Sequence, residues 1–80
     1  MNTPELTWEH CCQSVILAAE GKTGGIAYAA SYAHAGLFLT HAHEQAVQAL
    51  YILNNIQYWR GGDSKAIRAQ LKIFSQPARI

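Results

Sequence analysis

"HAHEQAVQALYILNNIQYWR", residues 41–60, is the stretch whose reading decides the fold. At 3.6 residues per turn, Val47, Leu50, Tyr51 and Tyr58 cover one side of a helix, and Ala49, Ile52, Ile56 and Trp59 cover nearly the other. Leu53 and Ala46 bridge the two sides, leaving a narrow polar strip of Glu44, Gln48 and Asn55. Gly61-Gly62 ends the pattern. A helix apolar over most of its circumference has to be covered on both sides, and three further short helices of one chain are not expected to manage that alone. The spacing therefore predicts a homodimer or higher oligomer, with Ala49, Ile52, Leu53, Ile56 and Trp59 at the subunit interface.

The segments on either side read as helices too. Thr3-Pro4-Glu5 offers a cap, a proline at the first helical position and an acid at the positive end of the dipole. From there Trp8, Cys11, Cys12, Val15, Ile16, Ala18 and Ala19 share one broad face up to Gly21. "GKTGG", residues 21–25, invites comparison with a phosphate-binding loop, but it follows a helix, and Ile16 stands where a Walker motif needs its first glycine. It reads as a flexible connection. "IAYAASYAHAGLFL" (26–39) is alanine-rich, with Ala29 and Ala33 spaced for close helix approach and Tyr28 and Tyr32 one turn apart. A break at Gly36 is favoured, with Thr40 as the next cap. Asp63 or Ser64 caps a last helix with Ile67, Leu71 and Phe74 inward and Lys65, Arg68 and Lys72 outward, stopped by Pro77. The predicted fold is all-α: one domain, residues 1–80, built as a small bundle of three to four helices (about 4–20, 26–36, 41–60 and 64–75) and completed by oligomerisation.

Composition narrows the functional classes. Half of the 80 residues are hydrophobic and 14% are charged, which fits an apolar globular chain and not a charged disordered one. A chain this short buries a modest core, which again favours a second copy. "MNTPELTWEH" lacks the basic start and apolar run of a signal peptide, and the greasy stretch 24–39 is interrupted by Ser31 and His34, so a cytoplasmic protein without a membrane segment is expected. Cys11 and Cys12 are neighbours that point about 100° apart on a helix, poorly placed to bridge each other. Buried free thiols are expected.

No catalytic set is legible. The five carboxylates include no pair spaced for acid/base work beyond Glu5 and Glu9, and both cysteines fall on the core face, so the chain is read as non-enzymatic and without a cofactor. His41 and His43, if they open a helix capped at Thr40, are about 200° apart around the axis, which disfavours one shared metal. A ligand or metal site around His34, His41, His43 and Glu44 is the alternative reading, and the leading one leaves metal out.

Charge is uneven. Glu5, Glu9, Glu20 and Glu44 against Lys22 leave residues 1–59 at −3, whereas Arg60, Lys65, Arg68, Lys72 and Arg79 against Asp63 give the tail +4. Arg60, Lys65, Arg68 and Lys72 are the expected partner-binding residues, for an acidic protein surface first and a nucleic-acid backbone second. Arg68 lies away from Ile67, Leu71 and Phe74 on the wheel, so reversing its charge is expected to leave stability unchanged. In style the chain is similar to the small accessory proteins of phages and mobile elements that act by binding a host protein, a likeness that carries no residue across.

Overall fold

The computed structural model describes residues 6–78, and within them it is all-helical: α1 (Trp8–Ala18), α2 (Gly25–Gly36), α3 (Ala42–Asn54), α4 (Ser64–Ser75) and a single 3-10 turn (Gln76–Ala78). No helix among the described residues is long and apolar enough to cross a membrane.

Each helix starts where local chemistry allows it. Thr7 caps α1: its hydroxyl accepts the His10 N–H at 3.0 Å, and Leu6 and Thr7 themselves are not helical. The expected Thr3-Pro4-Glu5 start lies outside the described residues. Trp8, Cys11, Cys12 and Val15 are buried, as the α1 spacing predicts. The expected break after α2 is present, but Gly36 is its last helical residue and has no positive φ. Its lack of a side chain serves space instead. A Cβ there would stand 3.0 Å from Trp8 Cζ2 and 3.1 Å from Gln48 Cγ. His41, one residue after the expected Thr40, holds the cap position of α3, with no side-chain hydrogen bond. Asp63 holds that of α4.

The helices close into a ring: α1 packs on α2, α2 on α3, α3 on α4, and α4 back on α1. Trp8 ties the ring together. Its indole N–H donates to the Gly36 carbonyl at 2.7 Å, and Phe74 meets its ring edge-to-face at 5.4 Å between centroids. Ile52, Ile56, Ile67, Leu71 and Val15 are the largest side chains with almost no exposure, surrounded by buried Ala29, Ala33 and Ala49.

One expectation about residues 41–60 is overturned, and a second is narrowed. The helix ends at Asn54, not near Arg60, because the Asn55 side chain turns back to donate to the Tyr51 carbonyl at 2.9 Å while its own backbone leaves the helical region. Residues 55–60 then fold back as a turn, held by Trp59 N–H to Ile56 O at 3.1 Å. The shorter helix also has less apolar surface to cover. α2 covers one side of it, and α4 with the 3-10 turn covers the other. Ala49, Ile52 and Ile56 are consequently buried inside the single chain, and Leu53 and Trp59 pack partly buried against the same core. Of the five residues assigned to a subunit interface, Ala49, Ile52 and Ile56 belong to the core of the single chain, whereas Leu53 and Trp59 keep part of their surface exposed.

Gly25 marks the tightest approach, since a Cβ there would lie 2.7 Å from the backbone oxygen of Asn55. Gly25→Ala has to move one helix end against another and is expected to cost about 1–3 kcal/mol, the usual range for overpacking. Urea unfolding followed by circular dichroism checks this; a variant as stable as the parent contradicts the packing.

Candidate functional site

Of the four expected partner-binding cations, Arg68 is in a different environment from the other three. It is half-buried, and its Nη1 donates to the Trp59 carbonyl at 2.6 Å and, more weakly, to that of Ile56 at 3.5 Å. These carbonyls became available when α3 ended early, so a charged donor of α4 completes the turn that follows α3. Arg68 is therefore structural, and the expectation that its charge can be reversed without loss of stability is corrected. Lys65 and Lys72 remain exposed on α4. Arg60 is exposed as well, in the turn that precedes α4. Arg68→Glu is expected to lose about 1.5–3 kcal/mol, the range for hydrogen bonds to a charged donor. A Lys65→Glu control should change little. Equal melting temperatures for the two variants would contradict the anchoring role.

His34, His41, His43 and Glu44 are all exposed, and no group of three or more His, Cys, Asp or Glu side chains among the described residues comes together to hold a metal. The thiols of Cys11 and Cys12 lie in the core. Burial pushes Cys11 up from 9.0 to about 11; burial, then the charge of Cys11, pushes Cys12 to about 12. Because the fold raises both values, the thiols' contribution to stability is fully present below about pH 9 and is lost as pH rises through 11 to 12. Neither is a nucleophile near neutral pH. A thiol-exchange reagent at pH 8 is expected to label no cysteine in the native protein and both after unfolding; prompt labelling of the native protein contradicts this burial.

Two features escaped the sequence reading. The first is an aromatic face. Tyr28, Tyr32 and Tyr51 are 66%, 38% and 48% exposed, and Tyr32 of α2 stacks on Tyr51 of α3 with centroids 5.3 Å apart and planes 19° off parallel. Gln48 locks the two helices beneath this stack by donating to the Tyr32 carbonyl at 2.7 Å. The i, i+4 spacing of Tyr28 and Tyr32 was visible in the sequence, but the partner that Tyr32 meets comes from another helix. The second is a cleft of about 380 Å³ between the loop that ends α1, the first turn of α2 and the turn after α3. Lys22, Thr23 and Gly25 reach it from one side, and Tyr58, Trp59 and Arg60 from the other. Nothing in the sequence juxtaposes residues 22–25 with 58–60, because only the early end of α3 brings them together.

No family model, curated protein or solved structure matches this chain.

Proposed function

We propose that this chain is a non-enzymatic helical interaction protein that pairs with a second copy of itself through the tyrosine face of α2 and α3. The observation that carries the reading is the exposure of Tyr28, Tyr32 and Tyr51, with Tyr32 of α2 stacked on Tyr51 of α3. Tyrosine supplies a large contact area with few torsions to freeze, and Tyr32 and Tyr51 are already ordered by their mutual stacking. Less entropy is left to lose on association.

The choice of a second copy as the occupant follows from charge. In a two-fold pairing each patch meets itself, so any charge it carries faces its own kind. Helix α2, "GIAYAASYAHAG", carries no Asp, Glu, Lys or Arg over its whole length. Its outer face can therefore meet its own image without like-charge repulsion. A chain acting through assembly also accords with thiols held inert in the core.

Sedimentation equilibrium tests the reading. A monomer–dimer equilibrium with a micromolar dissociation constant is expected, and Tyr28→Asp with Tyr51→Asp should leave a folded monomer, since both side chains are exposed. Ile52→Glu should instead unfold the chain, because Ile52 is fully buried. A parent protein that stays monomeric at about 200 µM contradicts the proposal.

A further inference from the structure

We propose that the cleft between residues 22–26 and 55–60 binds a free phosphate-bearing ligand with one planar ring, of the size of a nucleoside monophosphate. The charge of the site comes first. Lys22 and Arg60, far apart in the chain, line the same cleft, and among the described residues no carboxylate lines it with them. Two permanent cations without an acidic neighbour select an anion, and the guanidinium fork of Arg60 suits phosphate oxygens in particular. Thr23 adds a hydroxyl to the same wall. Helix α2 begins there with neither a capping side chain nor an acid in its first turn, so its positive end reinforces the preference that the two cations establish.

The aromatic residues specify the rest of the ligand. Tyr58 is 85% exposed, and Trp59, only partly buried, lines the cleft beside it. Adjacent cations and open aromatic rings are the pairing that holds a phosphate and stacks a base. A volume of about 380 Å³ lies at the small end of ligand pockets and suits a ligand of the size of a mononucleotide. Gly25 keeps the cleft in shape: it lets α2 start directly against the Asn55 carbonyl, which holds the 22–25 loop opposite Tyr58 and Arg60.

Trp59 reports on its own site, so quenching of tryptophan emission by AMP, GMP, CMP and UMP, confirmed by calorimetry, provides the test. At least one nucleotide is expected to bind with a dissociation constant below about 1 mM, and inorganic phosphate and the matching nucleoside should each bind at least about tenfold more weakly. Lys22→Gln combined with Arg60→Gln should weaken binding at least about tenfold, and Tyr58→Ala about tenfold, with melting temperatures unchanged because all three residues are exposed. Tyr28→Asp with Tyr51→Asp should leave the affinity as it is, so failure of the dimer and failure of the ligand site are read separately. Three results would overturn the assignment: no binding of any of the four nucleotides at about 5 mM, undiminished affinity in the double glutamine variant, or a single-stranded tetranucleotide binding about tenfold more tightly than the mononucleotides.

Discussion

The hydrogen bond from the Trp8 indole to the Gly36 carbonyl, 2.7 Å long and buried, is the constraint on which the rest of the molecule depends. It fixes the start of α1 to the end of α2, and the same indole ring receives Phe74 of α4 on its edge. Position 36 is tightly enclosed, since a Cβ there would stand 3.0 Å from the Trp8 ring and 3.1 Å from the Gln48 side chain. Gln48 in turn fastens α3 to the Tyr32 carbonyl of α2. One large aromatic residue with a single polar group, satisfied by a backbone oxygen, thus brings all four helices to a common point. That economy matters in a chain of 80 residues, where the core is small and each unsatisfied polar group would be a large fraction of the net stability.

Close packing around this point explains why aromatic residues end up outside. Helix α2 buries Ala29, Ala33 and Gly36, and α3 buries Ala46 and Ala49, so the helix axes approach too closely to admit a tyrosine between them. Tyr28, Tyr32 and Tyr51 are displaced to the surface, where Tyr32 and Tyr51 stabilise each other by stacking. The same small-residue core that lets one chain close on itself leaves an aromatic surface available for association. Likewise, the early end of α3 frees the carbonyls that Arg68 takes up and sends Tyr58, Trp59 and Arg60 back towards the loop after α1. Fold closure and both candidate binding surfaces have common causes.

Much of the architecture is legible in the sequence, and the boundary of what is legible is physical. Helical periodicity identifies the buried faces of α1 and α4, and the alanine spacing identifies that of α2, because each is an amphipathic pattern of local origin. Residues 55–60 keep the same periodicity but leave the helix, since Asn55 binds the backbone and Arg68, distant in sequence, stabilises the alternative turn. The interface reading is narrowed for a related reason: an apolar circumference shows that a helix is covered, not whether the cover comes from its own chain or another. Ala49, Ile52 and Ile56 are covered from within. The cleft was out of reach altogether, as its two halves meet only through that unforeseen turn.

The central claim is that one chain suffices to bury α3, with any association lying outside that core. Its most direct test is the dependence of folding on concentration. Chemical unfolding monitored by tryptophan fluorescence from about 10 nM to 10 µM should give a cooperative transition at every concentration. Its midpoint should hold constant below the dimer dissociation constant and rise only by mass action above it. Loss of native fluorescence on dilution into the nanomolar range, with a midpoint that falls continuously, would show that the fold itself needs a second copy and would contradict the account.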